Sequence, residues 1–160
     1  MLLSLDTKRL LLIFGILVAF SSVTRANVCD QHLSRIKYID FDGNRGVDAH
    51  YDALISAGRS AVPCLIANVT NTRHRSDPRP TPGLGNATDG DVAIYVLVAM
   101  TGVDTFKMLP RKYRDLYQEM GVLARDKYLQ DHRGNRRILQ NKLWRWYRTT
   151  YLPSLPKGAT

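Results

Sequence analysis

DAHYDALISAGRSAVPCLIANV, Asp48 to Val69, spells two short helices around a Gly58-Arg59 turn. Tyr51, Leu54 and Ile55 form the apolar stripe of the first, and Val62, Leu65, Ile66 and Val69 form that of the second. Neither helix is long enough to be stable alone, so both must bury their stripes against each other and against later segments. Asp48 is placed to cap the first helix and Ser60 the second, where Pro63 fits the first turn because its amide would have no helical partner. The pattern predicts an all-α fold: a compact bundle of about five helices built on this hairpin.

Downstream, Thr88-Asp-Gly-Asp91 leads into Val92 to Met100, VAIYVLVAM. Thr88 with an acid three positions on predicts an N-terminal capping box, and Gly102 lies where a helix should stop. An interior apolar on nearly every side belongs at the centre of a domain. A buried strand competes, since Val, Ile and Tyr favour sheet; the caps and the helical patterns on either side favour helix. Asp89 and Asp91 are two apart and so do not face each other on a helix, which argues for capping rather than a carboxylate pair for acid/base work.

Leu54 to Val69, LISAGRSAVPCLIANV, resembles the helix-turn-helix unit of HEAT-like repeat proteins, in which a glycine turn precedes a small residue, an apolar residue, proline and a paired apolar dipeptide. The resemblance implies a right-handed stack of antiparallel helices with a binding or scaffolding role and no chemistry.

Working toward the N-terminus, Lys8 and Arg9 precede the apolar run Leu10 to Phe20, and Ser21 to Ala26 supplies small and polar residues. This is the layout of a signal peptide over residues 1–26, with a membrane-anchored form if it is not cleaved. Residues 27–157 then form a single helical domain and 158–160 a short tail. Export to the periplasm or the extracellular space makes Cys29 and Cys64, the chain's two cysteines, a disulfide rather than catalytic thiols. Between Cys29 and the hairpin, Asp40, Asp42 and Asn44 alternate like the start of a calcium loop, but Arg45 stands where that loop needs glycine and Tyr51 where it needs glutamate. Turn chemistry at Gly43 and Gly46 accounts for the same residues, and no metal or other cofactor is expected.

Toward the C-terminus the charge changes. Residues 27–106 carry seven Lys or Arg against nine acids, whereas residues 107–157 carry 13 against four. A long loop over 71–88, rich in proline and glycine, presents Arg73, Arg75 and Arg79. Pro110 starts a helix whose stripe, Tyr113, Leu116, Tyr117, Met120, Leu123, Ala124 and Tyr128, runs through a Gly121 that weakens it without breaking it. After Gly134-Asn135, the run Arg136 to Arg148, RRILQNKLWRWYR, interleaves cations with aromatics. Helical spacing puts Leu143, Trp146 and Tyr147 in the core and leaves Arg136, Arg145 and Arg148 as a solvated rim.

There is no HExxH, GxSxG, glycine-rich phosphate loop or Cys/His cluster at metal spacing, and the four histidines are scattered. The expected function is therefore binding rather than catalysis; a hydrolase site built from Asp91, His50 and Ser60 has no supporting motif. An exported basic protein of this size suits an immunity or inhibitor role against an acidic protein partner, such as a toxin or cell-wall hydrolase, with binding residues Arg73, Arg75, Arg79, Arg136, Arg145 and Arg148. The alternative is an envelope-associated protein that lays its basic aromatic helix on an anionic membrane surface. Nucleic acid is disfavoured by export.

Overall fold

The computed structural model describes residues 28–36, 48–74 and 87–156. The expected signal peptide, the Asp40 to Gly46 turn, Arg75, Arg79 and the tail lie outside these residues. All regular structure among the described residues is helical apart from an isolated antiparallel bridge between His74 and Thr88. We label the helices α1 (Ala49–Ala57), α2 (Val62–Asn68), α3 (Asp89–Thr101), α4 (Arg111–Asp115), α5 (Tyr117–Met120), α6 (Leu123–Asp131) and α7 (Asn135–Trp146). A π-helical segment, Tyr147–Tyr151, extends α7. Helical turns over residues 28–35 precede α1.

The hairpin forms, with three departures from the expected pattern. The Asp48 carboxylate accepts from the backbone N–H groups of His50 and Tyr51, capping α1. The second helix is entered through a 3₁₀ turn, Gly58–Ala61, and the Ser60 hydroxyl donates back to the Ala57 carbonyl instead of capping α2. Val62, Leu65, Ile66 and Val69 are fully buried, and so is Leu54, whereas Ile55 is 36% exposed. Cys29 and Cys64 are joined in a disulfide that ties the N-terminal turns to α2. In the chain-entropy account, closing a loop with a sequence separation of 35 stabilises the fold by about 3 to 4 kcal/mol.

The segment that could have been strand is helix α3, and it is the centre of the molecule. Thr88 Oγ1 accepts from the Asp91 amide while Asp91 accepts from the Thr88 amide, completing the capping box. Gly102, in the left-handed region, ends the helix. Every residue from Asp89 to Leu97 is buried, which explains why the sequence is apolar all round. The hairpin covers α3 from one side, and α7 reaches α2, where the Gln140 side-chain amide donates to the carbonyls of Ile66 and Ala67. The ends of the 71–88 loop are pinned to the start of α3 by backbone bonds from Asp89 to Arg73 and from Gly90 to Asn71.

The helix expected to run on from Pro110 is broken. Gly121 has φ 55°, a conformation that an L side chain rarely adopts, so the chain turns there and separates α5 from α6. The expected stripe is split in consequence. Ala124 and Tyr128 remain in the core, but Tyr117, Met120 and Leu123 face outward, together with Val122.

Candidate functional site

The basic aromatic helix α7 holds two kinds of arginine. Arg136 is not on a solvated rim: its side chain is 8% exposed, and one guanidinium nitrogen lies 2.8 Å from Asp91 Oδ1. The other terminal nitrogen donates to the Val69 carbonyl. Arg136 thereby locks the N-termini of α3 and α7 to the C-terminal end of α2. Gly90 is part of this junction, because a Cβ built there would sit 2.6 Å from the Val69 carbonyl oxygen. A buried pair with its hydrogen bonds made is a structural device, and Arg136 leaves the set of cations available to a partner.

From its second turn onward, α7 buries Leu139 and Leu143 and turns a continuous stripe outward. Ile138, Asn141, Lys142 and Arg145 are exposed and recur at helical spacing, and the exposed Arg148, Thr149 and Leu152 follow through and beyond the π-helical segment. Ile138 is 47% and Leu152 43% exposed, so the stripe has an apolar residue near each end. Lys142 Nζ lies 2.5 Å from the Met108 carbonyl. Arg145 and Arg148 have no acidic partner among the described residues, and they line an open cleft of about 680 Å³ with Asn141, Trp144 and Thr149. The chain has no Asp or Glu after Asp131 to neutralise this face from within its own segment.

Four aromatic rings flank the stripe. Trp144 packs edge-on to Tyr147, Tyr147 stacks on Tyr151 at 5.9 Å, and Trp146 lies 5.2 Å from Tyr151. All four are half-buried, packed against the core and open on their other side. Burial raises the Tyr147 phenol above its ordinary range, with the neighbouring Tyr151 adding to the effect. These rings are amphipathic anchors, with an apolar body beside an N–H or O–H.

A second buried arginine lies on α6. Arg125 sits 4.2 Å above the Tyr95 ring, and its Nε is 3.5 Å from Asp126 Oδ1. Its Nε and one terminal nitrogen lack a hydrogen-bond partner, as does Asp126 Oδ1. Tyr95 donates to Asp126 Oδ2 at 2.9 Å. Burial pushes the Asp126 carboxyl above the usual carboxylate range, against the opposing pull of Arg125 and the Tyr95 hydrogen bond. Burial likewise raises the Tyr95 phenol.

The other sequence candidates do not converge. Arg73 is exposed at the start of the loop, on a segment separate from the α7 stripe. Asp91 is engaged by Arg136 and Thr88, Ser60 by Ala57, and His50 Nδ1 lies 3.0 Å from His32 Nδ1, so each of the three residues of the conceivable hydrolase site is engaged elsewhere. Among the described residues, no three His, Cys, Asp or Glu side chains are grouped to hold a metal. Among the same residues, no helix is long and apolar enough to cross a membrane.

Ile138, which helical spacing groups with the core residues Leu139 and Leu143, is 47% exposed and lies with Lys142 on the face of Arg145; Lys142 and Leu152 carry no assignment in the sequence reading. No family model, curated protein or solved structure matches the chain, so the α7 surface is interpreted from its own chemistry.

Proposed function

We propose that this protein is a peripheral envelope protein that attaches to an anionic membrane surface through α7 and its π-helical extension. The observation that carries the proposal is the composition of one exposed face: Arg145 and Arg148 at its centre, Ile138 and Leu152 toward its ends, and a flank of half-buried Trp and Tyr rings. A helix in the plane of a membrane interface needs these three components: cations for the headgroups, apolar side chains for the acyl boundary, and aromatic rings at the depth between.

Magnitudes favour a lipid over a purely electrostatic partner. Each cation near an anionic leaflet contributes about 1 kcal/mol. The exposed arginines of α7 and its extension, Arg137, Arg145 and Arg148, then supply about 3 kcal/mol, which corresponds to binding weaker than about 1 mM. Useful attachment requires apolar burial as well, and Ile138 and Leu152 lie where that burial would occur. An acidic protein partner would use the same arginines, but it gives no particular role to apolar residues at both ends of the stripe.

The test is co-sedimentation with vesicles of phosphatidylglycerol and phosphatidylcholine, compared with phosphatidylcholine alone. The protein is expected to pellet with the anionic vesicles, less so at high salt, with a blue shift of tryptophan emission. Arg145→Ala combined with Arg148→Ala is expected to abolish most of the binding at low salt. Absence of vesicle binding, alongside stoichiometric recovery of one acidic protein from an envelope extract, would overturn this function in favour of an immunity or inhibitor role.

A further inference from the structure

Apolar side chains exposed together at a chain reversal are a second feature of this molecule, outside α7. Tyr117, Met120, Val122 and Leu123 are 43%, 36%, 44% and 41% exposed, and they surround the Gly121 turn between α5 and α6. Elsewhere among the described residues, large exposed apolar side chains occur singly, at Ile55, Ile138 and Leu152. A contiguous group of four marks a contact surface in its own right.

We propose that the Tyr117 to Leu123 turn is a second membrane-contact element that inserts into the same anionic bilayer as α7. The inference rests on the α7 proposal. Three observations carry it beyond that proposal. First, the turn is joined to the α7 surface by the short 3₁₀ segment Phe106–Met108. The Phe106 ring packs on Tyr117 at a centroid distance of 4.3 Å, and the Met108 carbonyl accepts from Lys142 of α7. Lys107, between them, has an 84% exposed side chain. Second, the turn is preceded by exposed cations, Arg111, Lys112 and Arg114. Of the nearby acids, Asp115 faces Arg111 at 3.7 Å, Asp104 faces Lys107 at 3.3 Å and Asp131 accepts from Tyr113 and Lys127, which leaves Lys112 and Arg114 against Glu119 as the exposed charges of this segment without an ion pair among the described residues. One cation is left in excess beside the apolar group.

The third observation is the size and shape of the patch. A stable contact between two copies of a chain removes about 800 Å² from each partner. Four partly exposed side chains at the tip of a turn offer far less than that, but a bilayer accepts a small projecting tip without needing a matching surface. The break at Gly121 is what produces the tip: an unbroken helix would have laid Tyr117, Met120 and Leu123 on the inward face with Ala124 and Tyr128.

The experiment is vesicle flotation of the full chain carrying Met120→Ser, Val122→Ser and Leu123→Ser, beside the wild type and the Arg145→Ala, Arg148→Ala variant. The serine variant is expected to bind phosphatidylglycerol-containing vesicles about tenfold or more weakly, by the same factor at low and high salt, while the arginine variant loses binding mainly at low salt. Should the triple variant fail to fold by circular dichroism, Val122→Asp, at the most exposed of the four positions, carries the same expectation. Wild-type binding with no loss in the serine variants overturns the insertion of this turn and leaves the α7 proposal standing. A wild type that binds no vesicles overturns both. A dimer that the serine substitutions convert to monomer, with vesicle binding unchanged, overturns the inference in favour of self-association.

Discussion

Arg136 and Arg145 lie on the same helix, nine positions apart, and their fates are opposite. At the first turn of α7 the guanidinium is buried, paired with Asp91 and bonded to a backbone carbonyl. Two and a half turns later it is exposed and lines an open cleft. The difference lies in what the rest of the chain brings alongside. The N-terminal end of α7 meets the start of α3 and the end of α2, where Asp91 and the Val69 carbonyl await a cation. The C-terminal half emerges beyond those elements, with no acid in reach among the described residues. One helix thus divides its cations between holding the fold together and facing outward.

The comparison is most readily broken by removing the buried member. Arg136→Ala is expected to destabilise the protein by about 3 to 5 kcal/mol, because it strands the Asp91 carboxylate in the interior. Urea unfolding measures this, and a loss below about 1 kcal/mol would show that the junction does not depend on the pair.

Asp126→Asn sharpens the contrast between the two buried arginines. The Arg125–Asp126 pair leaves polar atoms unpartnered, and burial costs the ionised carboxylate more than its cation returns. A neutral amide removes that cost but leaves the buried Arg125 guanidinium without its anion, so the variant is expected to lose about 1 to 3 kcal/mol at neutral pH, less than Arg136→Ala. The sign with pH follows from the raised folded-state pKa. The stabilisation from holding a proton on Asp126 is fully present below the unfolded carboxylate range and is lost as pH rises through the folded value. Wild type should accordingly gain on the variant as pH is lowered from neutral toward the unfolded carboxylate range, a trend that urea titrations over that window would reveal or refute. The smallest effect is at the exposed end: Arg145→Ala should change stability by less than about 0.5 kcal/mol, and a larger loss on thermal unfolding would place Arg145 in the fold rather than on an interaction surface.

The elements legible in the sequence are those decided over short range. The Thr88/Asp91 box, the Gly102 stop, the Asp48 cap and the hairpin stripes each depend on residues within a few positions of one another. The pairing of Cys29 with Cys64 followed from there being no other pair available. Arg136 was misassigned because its burial depends on Asp91, 45 residues away, and nothing in RRILQ distinguishes its cation from the next one. The break at Gly121 is not legible because glycine is tolerated within a helix and the apolar Val122-Leu123 after it continues the pattern instead of marking a turn. On the outward face of α7 and its extension, the expected solvent exposure of Arg145 and Arg148 is observed, whereas the exposure of Ile138 and Leu152 beside them is not legible from an apolar residue at helical spacing.

The end of α7 is wound differently from its body. Through Tyr147–Tyr151 the backbone ladder widens, and the Leu152 amide reaches the Tyr147 carbonyl five residues back. One turn thus holds a residue more than an α turn does. Deleting a single residue from the segment would return the ladder to α register and leave the chain beyond it facing much as before, whereas a deletion within the α-helical body of α7 would turn everything downstream by about 100°. The segment is where α7 can lose a residue without turning its last apolar contact away.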